Sequence, residues 1–438
     1  MNFSSVLVSS DINISPFFMA ARLISLLLVL ILCPGLQALG QPVKGYDVLY
    51  YDASIKLDRS ADSLAGRVMM TARADSSILQ ILQHAKYLTI DSIFVNGIPA
   101  SVSWQDTAMG IYYALPHSAL PSGRNFTVQT YYHGPGKPEQ NRYKWGGVTN
   151  EDTMMFAMGV GFAAPYTSCT RHWLPCYDLP DDKPDSADLT FICRDGDLTV
   201  SNGLLVSNTV ENGYRTMHWH ISHPIASYLL TFATGPYTVQ QISNSLNKPF
   251  EVFALKRDSM SVGEQMKLRV SRVLAFYDSL FAPYPFEKVG YVVTPIGSME
   301  HQTMISLGHN LLGINSVTAI HELAHQWWGD WVTCKTFDDA WLNEGFATYC
   351  ESLVLQRFNG QSEYFGRQRN NVANEYSGRN GFEIDSLPLS GAPTVDGHTN
   401  NYPGTIYAKG AVVLGMLRDY LGDSLFFAGI RKYGRAHA

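Results

Sequence analysis

Apolar and polar side chains alternate in Ser54-Ile55-Lys56-Leu57-Asp58, the two-residue period of a half-buried strand. Val95-Asn96-Gly97-Ile98 sets Asn-Gly between two apolar residues and predicts a hairpin closed by a tight primed turn. Short runs of this kind, separated by turn residues, continue from about Tyr46 to Val239 and predict a large antiparallel β region. The period then changes. Met266, Val270, Val273, Leu274, Tyr277 and Leu280 recur at three- and four-residue steps, which predicts a helix ending before Pro283 and Pro285. A strand is predicted from Val289 to Thr294. Helices are predicted over roughly 317–328, 342–357, 406–421 and 424–433, the last with Asp423 or Ser424 as N-cap.

The first forty residues follow another pattern. Arg22 precedes a ten-residue, largely apolar core, Leu23 to Leu32, followed by Cys33-Pro34-Gly35 and the small-x-small sequence Ala38-Leu39-Gly40. This predicts a signal peptide starting near Met19, with residues 1–18 as an upstream extension. The core is short for a membrane helix, so no stable span is expected after cleavage, and the expected location is secreted or periplasmic. An anchor that stays attached is the alternative. Leu32 before Cys33 makes a poor lipoprotein site. Three segments result: 1–40 as leader and extension, 41–245 as the β domain, and 246–438 as a mixed, then helical domain.

Composition narrows the class. A chain of 438 residues has room for two or three domains, and 46% hydrophobic with 16% charged residues is that of a globular protein. A net charge of -6 with no basic run gives no support to nucleic-acid binding. Beyond the leader lie Cys169, Cys176, Cys193, Cys334 and Cys350, an odd set whose spacing fixes no pairing.

The chemistry concentrates in one stretch. In His321-Glu322-Leu323-Ala324-His325 the histidines are four apart and share one helix face, so both reach a single metal ion. Glu344 lies on the next predicted helix and supplies a third ligand. That leaves the fourth position open for water or substrate, as catalytic zinc requires, one ion per chain. Glu322 projects beside the ligands as a general base for water. Two histidines one turn apart also occur on solvated faces. Here the apolar residues around them predict burial, and a carboxylate in Trp341-Leu342-Asn343-Glu344-Gly345-Phe346-Ala347 needs a partner or a metal.

Four stretches together resemble the aminopeptidase N family of gluzincin zinc metallopeptidases. They are His321 to His325 with Glu344 in Trp-Leu-Asn-Glu-Gly-Phe-Ala; Gly297-Ser298-Met299-Glu300-His301, similar to the family's Gly-x-Met-Glu-Asn; Tyr407-Ala408-Lys409-Gly410-Ala411, similar to Tyr-x-Lys-Gly; and Arg171 with Pro175-Cys176-Tyr177-Asp178-Leu179-Pro180, similar to Arg…Pro-Cys-Phe-Asp-x-Pro. The resemblance implies an α+β multidomain fold: an N-terminal antiparallel β-sandwich or saddle, then a thermolysin-like α/β catalytic domain. It implies removal of residues from peptides with a free N-terminus. Tyr407 would donate to the oxyanion, and Glu300 would anchor the substrate's α-amine. Gly297, Ser298 and Met299 would line the substrate backbone. Family catalytic domains continue further past the tyrosine, so the resemblance implies an incomplete domain at residue 438.

Two positions depart from the pattern. His301 stands where the family has Asn, which changes the hydrogen bonding at the end of that motif. Tyr166 falls where relatives carry a substrate-contacting Gln, so N-terminal recognition is expected to be partly rebuilt. His309 and His398 read as surface or satisfied histidines, and His218, His220 and His223 as strand positions without a metal partner. Two alternatives stay open: an endopeptidase in which Glu300 is structural, and a non-catalytic peptide-binding scaffold.

Overall fold

The computed structural model describes residues 44–140, 145–151, 153–161, 167–309, 317–377 and 404–438; the leader, Tyr166 and His398 lie outside them. The alternation around Ile55 is realised in the strand Tyr46–Asp58, where Ala53, Ile55 and Leu57 are buried and Ser54, Lys56 and Asp58 are not. It lies inside an eight-stranded sheet ordered Leu204–Glu211, Tyr214–Ile221, Ser186–Arg194, Tyr46–Asp58, Ser63–Ala74, Asn125–Pro135, Thr89–Val95 and Ile98–Pro99. The sheet departs from the expected antiparallel pattern at one pairing: Tyr46–Asp58 runs parallel to Ser186–Arg194, with Ile55 opposite Phe191. Parallel neighbours need a long crossover, and the intervening strands supply it. The Asn-Gly hairpin is present, with φ of 50° at Asn96, 76° at Gly97, and Val95 paired to Ile98.

A four-stranded sheet (Leu198–Ser201, Phe232–Gly235, Met154–Met158, Gly147–Glu151) and a three-stranded one complete the β region. Every residue of Met154–Met158 is buried, so that strand reads as a continuous apolar run. The remaining four-stranded sheet joins Tyr237–Gln241, Phe250–Leu255, Val289–Thr294 and Ile305–Gly308, its last two pairings parallel.

The helix expected from Met266 to Leu280 starts earlier. Lys256–Gln265 is α-helical, Met266–Val270 forms a π turn, and Ser271–Leu280 continues to Phe281, just before the prolines. Only Val262 and Gly263 are buried in the first segment, so it carries too little apolar periodicity to be read. The two helices expected near the C-terminal end are both present within Gly404–His437, divided at Gly422, whose φ of 74° and ψ of 159° are not helical. Arg418 grips Asp423 with two bonds of 2.8 and 2.9 Å across that break.

Two apolar cores result. The first gathers Tyr46 to Tyr237 with Phe253, Leu255, Val292, Met299 and Met304; the second runs from Ile242 to Ile430 around Trp327, Trp328 and Tyr277. The architecture is α+β, β-rich toward the N-terminus and helical toward the C-terminus, with 44–438 forming one compact unit. Among the described residues no helix is long and apolar enough to cross a membrane.

Candidate active site

The Thr318–His325 helix buries Ile320, Leu323 and Ala324 and thereby aims His321 and His325 inward; His321 remains slightly exposed. Glu344 lies in the first turn of the following helix, Trp341–Asn359, and is 5% exposed. The donor atoms form a nearly equilateral triangle. His321 Nε2 and His325 Nε2 are 3.1 Å apart, and each is 3.3 Å from Glu344 Oε2. A tetrahedral centre with bonds of about 2.0–2.1 Å has edges of about 3.3–3.4 Å, so these three side chains fit Zn2+ as they stand.

The other ring nitrogens fix which atom faces the metal. His321 Nδ1 is 2.9 Å from Glu351 Oε1, and His325 Nδ1 is 3.0 Å from the Trp328 carbonyl. Each Nδ1–H donates outward, which leaves the Nε2 lone pair free for a cation. Glu351 is itself gripped by Arg367. Sequence reasoning missed Glu351, although its seven-residue spacing from Glu344 places it two turns along the same helix face.

The pocket gathers four carboxylates around two imidazoles. Glu300, Glu322, Glu344 and Glu351 are all at least 94% buried, facing two imidazoles. Burial pushes Glu322 up to about 8 against the pull of His321 and His325, and the carboxylates of Glu300 and Glu344 add to the rise. Burial would also raise Glu344, but the His325 charge and hydrogen bonds to both histidines hold it at about 2. His325 shows the converse: burial lowers it, and Glu300 and Glu344 outweigh that and bring it to about 9. A divalent cation would take the place of the protons that the imidazoles hold among these carboxylates.

Glu300 reaches this pocket from the sheet. Met299 exchanges two main-chain bonds with Ser306, of 3.1 and 3.0 Å, so the motif lies as an extra short strand against Ile305–Gly308. Gly308 N–H donates to Ser298 Oγ at 3.1 Å. Gly297 has φ 81°, and a Cβ there would press on Met158 Cε at 3.1 Å and the Trp145 ring at 3.4 Å. Glu300 then comes within 4.8 Å of ligand-type atoms of both Glu322 and His325. Asn343, next to Glu344, donates to Glu300 Oε1 at 3.1 Å.

His301 points away from the pocket. It is fully buried, and burial holds it neutral, down to about 3. Its Nε2 accepts from Gly159 N–H at 3.1 Å, and its Nδ1 lies 3.1 Å from Ser306 Oγ. Tyr407 sits on the first of the two C-terminal helices, before Gly422, with its ring stacked on His321, centroids 6.3 Å apart at 23°. Gly410 makes this approach feasible. A Cβ there would lie 2.8 Å from the Gly345 Cα, so the two helices touch backbone to backbone.

The remaining candidates lie elsewhere. The Pro-Cys-Tyr-Asp segment is structural: Arg171 donates to Asp178 Oδ2 at 2.9 Å and to its carbonyl at 2.9 Å, a fully buried pair. His309, His218, His220 and His223 pair with Asp258, Asp188, Asp188 and Glu287.

Comparison with known proteins agrees with this geometry. Residues 265–438 match the peptidase family M1 domain. Aminopeptidase N of Lactobacillus delbrueckii subsp. lactis is 25% identical over 421 residues, covering 89% of this chain and 46% of its own length. Human endoplasmic reticulum aminopeptidase 1 is 29% identical over 340 residues, covering 72% of this chain and 35% of its own. The chain thus spans about half the length, or less, of these curated relatives. The M1 zinc metallopeptidase of Deinococcus radiodurans superposes with a TM-score of 0.73 at 22% identity, covering 90% of this chain and 87% of the other. A mutant of that enzyme bound to a Tyr-Ser-Ala substrate gives 0.74 at 22%, covering 90% and 88%. These likenesses show a shared two-part fold. Fold and donor set together define a zinc metallopeptidase architecture. Within it, residues 265–438 match peptidase family M1, and the chain is similar over most of its length to proteins named aminopeptidase N.

Proposed function

We propose that the chain is a zinc aminopeptidase that hydrolyses the first peptide bond of substrates with a free N-terminus. The observation that carries this reading is the buried Glu300 carboxylate, within 4.8 Å of Glu322 and His325 and therefore beside the metal triad. A carboxylate there selects a cationic α-amine and places the first carbonyl, rather than an internal one, at the ligands. The relatives named aminopeptidase N support the same activity.

His321, His325 and Glu344 would hold the ion, and Glu351 and the Trp328 carbonyl keep the two imidazoles in the binding tautomer. When bound, zinc supplies a Lewis acid and lowers the pKa of coordinated water to about 7. Glu322 takes the proton from the attacking water and hands it to the departing amine nitrogen. Glu322 is only 6% exposed, which keeps that proton from bulk solvent. Tyr407, stacked beside His321, is the donor to the oxygen on which charge develops. The leader over residues 19–40 supports export as part of the same proposal.

The test is hydrolysis of one short peptide, free and N-acetylated, by the wild type and Glu322→Gln, with product masses recorded. Stepwise cleavage of the free form alone, lost in Glu322→Gln by on the order of 10² to 10⁴ in kcat with zinc retained, is the expected result. Internal cleavage of both forms would replace the reading with an endopeptidase. No cleavage by zinc-loaded wild type would leave the scaffold.

A further inference from the structure

We propose that Gln326 and Asn343 are positioning residues that set the distance between the Glu300 carboxylate and the metal centre. The proposal rests on the aminopeptidase reading and adds what holds its register. Each amide is the chain neighbour of a metal ligand: Gln326 follows His325, and Asn343 precedes Glu344. Asn343 Nδ2 donates to Glu300 Oε1 at 3.1 Å. Gln326 Nε2 donates to the main-chain carbonyl of Glu300 at 3.1 Å and to Asp330 Oδ2 at 2.7 Å, while its Oε1 accepts from Thr303 N–H at 3.0 Å. With two acceptors on one side and an N–H on the other, a single orientation of this amide fits. The backbone of Glu300 is thereby referenced to the two-histidine helix, and its carboxylate to the Glu344 helix. Gln326 and Asn343 are 0% and 1% exposed, so water does not replace a lost bond at either.

The turn after Glu300 shows what the brace works against. Thr303 is β-branched and has φ 62°, a region such residues rarely occupy. Conformations of this kind persist when surrounding structure over-determines them. Besides the Gln326 contact, Thr303 Oγ1 accepts from Gly203 N–H at 2.7 Å, the Gln302 carbonyl accepts from Asn202 Nδ2 at 2.6 Å, and Met304 N–H donates to the His301 carbonyl at 3.0 Å. The turn is pinned by the β region on one side and by the metal helix on the other. What is fixed is a reach, the span that a substrate's amine and first carbonyl must bridge.

The experiment uses the zinc-loaded full chain carrying Glu322→Gln, titrated calorimetrically with leucyl-glycyl-glycine and its N-acetyl form. The parent should prefer the free form. Adding Asn343→Ala or Gln326→Met should cut that preference by about tenfold, the loss expected for one charge-assisted contact, with zinc content and acetyl-peptide affinity unchanged. Asn343→Asp, an isostere that swaps the donor for a second carboxylate, should do the same should the alanine variant fail to fold. An unchanged preference in the variants, with a fall only in melting temperature or zinc content, would make both amides merely structural and overturn the proposal. A parent without preference removes the amine anchor and the proposal with it. A parent that prefers the free peptide, in a chain whose unmodified form does not hydrolyse it, sinks the aminopeptidase reading alone, and the preference ratio still decides the role of the amides.

Discussion

Two clusters in this molecule each bring a pair of histidines to a carboxylate, and only one is built for a metal. On the strand Tyr214–Ile221, His218 and His220 both turn to Asp188 Oδ1, at 2.6 and 3.1 Å, while Tyr50 donates to Asp188 Oδ2 at 2.6 Å. The imidazoles there are 32% and 44% exposed, and each directs a nitrogen at the carboxylate. On the Thr318–His325 helix the same residue types are buried, and their outer nitrogens are occupied by Glu351 and a carbonyl, so both inner nitrogens converge with Glu344. Residue type is shared; what differs is the partner of the second nitrogen and the exclusion of water.

The largest expected effect separates the clusters outright. Glu344→Ala should strip bound zinc and abolish turnover, whereas Asp188→Ala should leave the metal content at one per chain by mass spectrometry. Equal loss in both would make the strand cluster a second metal site. Tyr407→Phe comes next: kcat should fall by on the order of 10² to 10³ with little change in KM. A change confined to KM would contradict its role as donor to the developing charge.

Glu351→Gln tests the outer-nitrogen argument itself. Zinc affinity should drop by about 10- to 100-fold, measured by competition with a chelator, and an unchanged affinity would show that the tautomer needs no such partner. The smallest effect belongs to the strand cluster. Burial alone would raise Asp188, but bonds from Tyr50, His218 and His220 hold it below the usual carboxylate range. A depressed folded pKa contributes stability above the unfolded value of about 3.9 and loses it as pH falls through the folded value. Asp188→Asn should therefore cost under about 1 kcal/mol near neutral pH for this part-exposed group. Its difference from wild type should begin to shrink in urea melts below about pH 4 and vanish once the pH is below the folded value. A difference that persists in acid would assign the effect to packing.

The helix ends show how far periodicity reaches. The segment Ser271–Leu280 was legible from its apolar steps, but Lys256–Gln265 was not, because its side chains face mainly outward. The gap expected between two C-terminal helices is found at Gly422, where the backbone leaves the helical region, and Arg418 and Asp423 hold the two helices together across it. The parallel pairing of Tyr46–Asp58 with Ser186–Arg194 was not legible, since alternation reports a strand's faces and says nothing of its neighbours.

The same division runs through the site. Four-residue spacing on a helix is a property of the covalent chain, so the sequence alone determined that His321 and His325 share a face and that Glu322 stands beside them. It also determined that Glu344 begins a buried helix, and Glu300 and Tyr407 were legible through their motifs. Only the tertiary structure decided how these parts are held. Glu351 on His321, Gln326 on the Glu300 backbone, Asn343 on the Glu300 carboxylate and Gly159 on His301 join residues 26 to 142 positions apart. Such contacts depend on which faces the packed sheet and helices bring together, and no local period encodes that.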